Sequence, residues 1–176
     1  MAMGESNATT QIARLLLLFE QLSNGYVPRN RNVKSAVLSL YLSDDASSNA
    51  RTYSFFRLKR EFIFSQATWN LRKTGEAWAV AGVYSASNST DYERADPIAT
   101  LSLSASEADG FKNWDLDTAK VFELINGVFP NYGLFGMCDG ENNDQYIFRS
   151  GDHATESSHP KLTIEIDDYS SDAIIL

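Results

Sequence analysis

The chain reads as short apolar or alternating segments set apart by Ser, Asn, Gly and Asp, with little of the three-to-four spacing of amphipathic helices. That rhythm predicts an all-β fold, an antiparallel two-sheet β-sandwich of the jelly-roll kind. Residues 13–19, Ala13 to Phe19, form an apolar run interrupted by Arg14, expected as a strand buried on both faces because Ser23-Asn24-Gly25 follows closely. Residues 33–42 alternate: Ala36, Leu38, Leu40 and Leu42 point one way, Val37, Ser39 and Tyr41 the other. Residues 44–49 are a turn by composition. Further strands are expected at 52–58, 62–64, 67–70, 98–103 and 111–116, then at 133–137, 145–149 and 161–167. One short helix is predicted at 118–126, capped by Asp117 or Thr118, striped by Val121, Leu124 and Ile125, and ended by Gly127. Between 81 and 97 no period is visible, and a loop of that length ordinarily carries function or orders itself on the surface.

Composition supports this reading and narrows the function. Ten Phe, eight Tyr and three Trp suit half-buried pleated surfaces. The length of 176 residues fits one domain, placed at 1–167 with a tail at 168–176 that is acidic and then apolar, Ala173-Ile174-Ile175-Leu176. An apolar end is expected to pack on this chain or a neighbour. The net charge of −8 lacks the basic footprint of a nucleic-acid binder. It is uneven: residues 1–95 carry 11 Lys or Arg against 8 Asp or Glu, whereas 96–176 carry 4 against 15. No apolar stretch spans a bilayer and Met1 to Gln11 is no signal peptide, so neither membrane insertion nor ordinary export is expected. Cys138, alone in an apolar run, reads as a buried thiol acting as a small hydrophobe.

Candidate chemistry is thin. Ser150, Asp152, His153, Ser157, Ser158 and His159 crowd one segment, but it is a loop between strands without a nucleophile elbow or oxyanion nest, so no catalytic residue is expected. Two His and one Cys cannot make a zinc site. Asp139, Glu141 and Asp144 form an oxygen-rich hairpin that offers ligands to a structural Ca²⁺, against the ordinary reading as a solvated turn; no other cofactor is implied. A sugar site needs exposed aromatic rings beside polar groups. Trp78, Tyr84 and Tyr92 lie in or next to the aperiodic stretch among Asn88, Asp91 and Arg94, and these six form the candidate carbohydrate site. Trp69 and Trp114 are expected in the core because they fall in strand patterns. Arg57, Lys59 and Arg60 read as a solvated strand end, with an acidic glycan as the alternative ligand.

The order of segments resembles the DNRLRE-type domain, a jelly-roll module also seen in disaggregatase-related proteins and in some carbohydrate-binding modules. Arg14-Leu15-Leu16-Leu17-Leu18-Phe19-Glu20 is similar to the family's Arg-x-Leu-Leu-x-Phe-Asp strand, with Glu20 where Asp is usual. Ser35 to Leu42 is similar to its Leu-x-Leu-Tyr strand, and Ala67-Thr68-Trp69-Asn70 stands for its Thr-Trp-Asn motif, followed by Gly75-Glu76-Ala77-Trp78 and Asp91-Tyr92. Trp114 to Thr118, Asn126-Gly127, Asn131 to Leu134, Phe148-Arg149-Ser150 and Pro160-Lys161-Leu162 complete the likeness over residues 13–166. Leu124 replaces a common Trp, His159 a common Arg, and the family's strand before this region is short or missing here. The resemblance implies a non-enzymatic, surface-displayed module. The Met start without a signal, the missing strand and the apolar tail favour a structural subunit of a larger assembly, such as a virion decoration, fibre or tail component, with possible glycan binding. Other protein subunits, including further copies, and surface polysaccharide are the implied partners. The alternatives are a carbohydrate-binding module of a bacterial or archaeal cell-surface or extracellular protein and, remotely, a polysaccharide-active enzyme.

Overall fold

A computed structural model describes residues 1–5, 11–45, 47–86, 90–140 and 144–167. Its strands are β1 (Ala2–Glu5), β2 (Ile12–Ala13), β3 (Leu15–Leu17), β4 (Val33–Asp45), β5 (Arg51–Arg57) and β6 (Leu71–Lys73). They continue with β7 (Glu76–Ala77), β8 (Ala99–Leu103), β9 (Gly110–Asp115), β10 (Leu134–Cys138), β11 (Gln145–Phe148) and β12 (Lys161–Ile166). One helix, α1 (Thr118–Asn126), lies between β9 and β10. It stands where the sequence predicts it: the Asp117 carboxylate accepts from the Ala119 and Lys120 amides, and Gly127 closes it at φ 73°.

Two antiparallel sheets face each other. The long alternating strand β4 is the axis of a six-stranded sheet: on one edge it pairs with β11 near its end and β12 near its start, on the other with β9. β1 and β2 extend this sheet beyond β11. The other sheet runs β3-β10-β5-β8. Leu38, Leu40 and Leu42 from β4 meet Tyr53 and Phe55 from β5 across the core. Trp114 is fully buried there, its indole N–H donating to the Tyr53 carbonyl at 3.0 Å and its ring meeting Phe55 edge to face. Cys138 is buried, and burial pushes its thiol up, as expected of a small core hydrophobe.

The four-stranded sheet is covered on its outer face too. Phe56, Phe135 and Met137 point away from the main core and are roofed by Phe62, Trp78, Val83 and Tyr92 from residues 58–97. A second, smaller core results. It explains why Leu134 to Cys138 is buried at every position, and why the run at 13–19 is apolar on both faces: Leu15 and Leu17 enter the main core, Leu16 and Leu18 the second.

Several expectations change. The run at 13–19 is not one strand, because the chain passes from the six-stranded to the four-stranded sheet at Arg14. Residues 62–64 and 67–70 are turns, not strands; the nearby hairpin is β6–β7. Where the first strand was expected to be short or missing, Ala2–Glu5 forms a short β1, paired to β11 on one side and β2 on the other, with Met3 fully buried. Gly4 permits it: at φ 104° it lies against the Asp144 carbonyl, where a Cβ would come within 1.7 Å of the oxygen. The tail at 168–176 lies outside the described residues.

Candidate functional site

The roof over the four-stranded sheet is built around one turn. The Thr68 hydroxyl accepts from the Asn70 and Leu71 amides at 3.3 and 3.0 Å, and the Thr68 amide donates to the Leu71 carbonyl at 2.8 Å. This side-chain-to-backbone turn leaves Trp69 at its apex. The Trp69 indole is 43% exposed, whereas Trp78, nine residues on, is only 5% exposed and donates its indole N–H to the Thr68 carbonyl. The two rings have therefore exchanged the roles expected of them. The reason is local: Thr68 turns the chain outward at 69, and the short β6–β7 hairpin returns it inward at 78.

Trp69 is held in place. The Gly82 amide donates to the Trp69 carbonyl at 2.6 Å, and Gly82 lies so close to the indole that a Cβ would sit 2.4 Å from its ring. The Arg14 guanidinium lies 4.9 Å from the Trp69 ring centroid and 5.3 Å from that of Tyr84, and donates to the Gly82 carbonyl at 2.6 Å. Between Gly82 and Tyr84, Val83 is forced to φ 72°, with the Tyr84 amide bonded to the Gly82 carbonyl at 2.8 Å. This γ-turn of positive φ is strained, and more so for a β-branched residue. Such strain persists where the surroundings over-determine it, which is common at ligand sites. Beside these groups a depression of about 270 Å³ is walled by Arg14, Thr68, Trp69 and Gly82, with Trp78 and Phe135 in its lining.

The six predicted sugar-site residues divide. Tyr92 and Trp78 are core, and burial pushes the Tyr92 phenol up, so neither ring offers a face to solvent. Asp91 is 1% exposed and acts as an internal tie: its carboxylate accepts from Arg60 at 3.2 Å and the Ala79 amide at 2.7 Å, and its carbonyl from the Lys59 amide. Tyr84 and Arg94 remain accessible and border a second depression of about 300 Å³ with Asp139 and Met137. Asn88 lies outside the described residues. Tyr84 thus stands between the two depressions, and Arg14 and Trp69, which sequence reasoning passed over as strand residues, complete the surface. For Trp69 the signal lay in the Thr68 hydroxyl beside it; for Arg14 the sequence carries none.

The other candidates are taken up internally. Arg57 is buried, bidentate to Glu93 at 2.8 and 3.0 Å and bonded to Glu123 at 2.6 Å, so it faces no glycan. Asp144, proposed above as a calcium ligand, is fully buried in a ring of donors: the Ser48 and Asn49 amides at 2.8 and 3.0 Å, the Asn49 side-chain amide and the Arg51 guanidinium at 2.6 Å. Burial alone would raise its carboxyl, but the bonds from Ser48, Arg51 and Asn49 outweigh burial and hold it below the ordinary carboxylate value. Oxygens saturated by N–H donors do not fit a cation. Asp139 is exposed and accepts from the Thr52 amide, and Glu141 lies outside the described residues. Among the described residues no three His, Cys, Asp or Glu are grouped to hold a metal ion.

The segment from Ser150 to Pro160 leaves β4 between Tyr41, which bonds the Arg149 amide, and Ser39, which faces Lys161. It is an excursion from what would otherwise be one long strand. Its polar groups bond locally: Ser158 donates to the Thr155 carbonyl at 2.7 Å, His153 Nδ1 accepts from the Thr155 amide at 3.0 Å, and His159 Nε2 meets the His153 carbonyl at 2.6 Å.

Among known families, the disaggregatase related repeat domain matches residues 1–164. No curated protein and no solved structure is matched by the chain.

Proposed function

The chain belongs to the disaggregatase related repeat domain family, and from that membership we propose that it is a non-catalytic, surface-displayed module that binds glycan at Trp69 and serves as a subunit of a larger assembly on a cell or a virion. The observation that carries the binding half is the Trp69 ring: large, 43% exposed, fixed by Gly82 and Arg14, and set on a depression of glycan-residue size. Sugar rings present C–H faces that stack on such indoles, and Arg14, Thr68 and Tyr84 set polar groups around the ring. Preorganisation by the strained turn at Val83 spares the ordering cost on binding. The non-catalytic half is supported by the local bonding of the serines and histidines at 150–160. The assembly half is supported by the exposed Tyr26, which borders one apolar depression with Phe19, Leu162 and Ile164 beside the edge of the six-stranded sheet.

A glycan array tests the reading. Wild-type protein is expected to bind one class of glycan, Trp69→Ala to lose at least about tenfold in affinity, equivalent to one good stacking contact, and Tyr84→Ala to lose less. Absence of binding across a broad array, or binding that Trp69→Ala leaves intact, would remove the glycan half of the proposal.

A further inference from the structure

The six-stranded sheet ends on an open edge. β12 pairs with β4 along one side, and on its other side no strand lies among the described residues. At six residues it is twice the length of β3, an edge strand of the facing sheet. Lys161, Thr163 and Glu165 are exposed on its solvent face. Leu162 and Ile164, half-buried on the inner face, border an apolar depression of about 430 Å³ with Phe19 and the exposed Tyr26. An edge of this kind is a template for a further strand.

We propose that the further strand is β12 of a second copy, paired antiparallel about a two-fold axis through Thr163. The strand is complementary to itself in that register. Lys161 faces Glu165 of the partner subunit, Leu162 faces Ile164 of the partner subunit, and Thr163 meets its own counterpart. Two-fold symmetry repeats the ion pair and the apolar pair. Opposite charges directly across an antiparallel pair stabilise it, and like charges there oppose it. A slip of one residue sets Lys161 against Ile164 and forfeits both pairs. Among the described residues the edge strands β9 and β8 lack this match: centred on Asn113, β9 would set Phe111 against Asp115 and Lys112 against Trp114, and β8 carries no charge to fix a register. The inference rests on the assembly half of the proposed function and is independent of the Trp69 site.

Sedimentation of the full chain over a range of concentrations tests it, with Lys161→Glu, Glu165→Lys and the double swap compared. The wild type is expected to dimerise. Each single substitution should weaken the dimer by about tenfold or more by placing like charges across both ends of the strand pair. The double swap restores the ion pairs with their order reversed, and should return the affinity to within about threefold of wild type. Circular dichroism reports whether these exposed positions leave the fold intact. A chain monomeric up to about 1 mM, a dimer indifferent to the single substitutions, or a double swap that fails to restore it would each overturn the proposal. A monomer that still binds glycan removes the dimer and leaves the Trp69 site standing; a dimer that binds no glycan does the reverse.

Discussion

At the scale of single residues, the three tryptophans show what decides a side chain's role. Trp114 alternates within a strand, and its burial was legible in that alternation. Trp69 and Trp78 lie in a stretch where a hydroxyl, Thr68, sets the direction of the chain, and apolar patterning does not register hydrogen bonds. Trp78→Ala is therefore expected to cost about 3–5 kcal/mol of stability, as truncation of a buried indole does, while Trp69→Ala changes the unfolding midpoint little; thermal melts of the two variants check this. Asp144 teaches the same lesson with opposite sign. Its acidic loop reads as cation-binding, yet the fold surrounds it with donors. A carboxyl held below its unfolded value stabilises fully above pH about 4 and loses that contribution as pH falls through the lower folded value. Glu107, held at about 2 by Lys112 and then by Ser104, acts in the same direction. Asp144→Asn should cost about 3 kcal/mol near neutral pH, the lower end for breaking a buried charge pair. Its stability should also fall less steeply than that of wild type on acidification, measured by denaturant unfolding from pH 7 to 2.

Elements were legible where a single period governed them. β4 alternates over its length and α1 carries both caps; α1 stands where the sequence places it, and β4 starts there but runs on through Asp45 into the expected turn. The sequence misleads where one segment serves two layers. Residues 13–17 cross between sheets, and residues 58–97 contain little strand yet are ordered by a core of their own. β1 escaped notice because four residues containing a glycine carry no visible alternation; its identity depends on β11 and β2 beside it. Since Met3 is fully buried between the sheets, Met3→Ala is expected to cost about 2–5 kcal/mol, read from chemical denaturation. A loss under about 0.5 kcal/mol, the range of ordinary surface substitutions, would show that β1 is not part of the stable sheet.

In the whole molecule, two facing sheets and a roof resolve the uneven charge along the chain. Basic residues of the first half pair with acidic residues of the second: Arg51 with Asp144, Arg57 with Glu123, and Lys34 with Asp167. The asymmetry is thus partly consumed inside one domain. The roof is what sets an aromatic ring in solvent, because it lifts Trp69 out of a face that would otherwise be sheet. The candidate site was half legible: Tyr84 and Arg94 were found from their place in an aperiodic stretch, while Arg14 and Trp69 required the crossing at 14 and the turn at 68 to be known. On the proposed reading, ligand contacts one indole of three. Two-dimensional ¹H–¹⁵N spectra resolve the three indole N–H signals, and titration with the glycan that binds best on the array reads each of them. The Trp69 signal is expected to shift progressively and saturate while those of Trp78 and Trp114 stay in place. A stationary Trp69 signal with bound glycan, or a shift confined to Trp78 or Trp114, would contradict it.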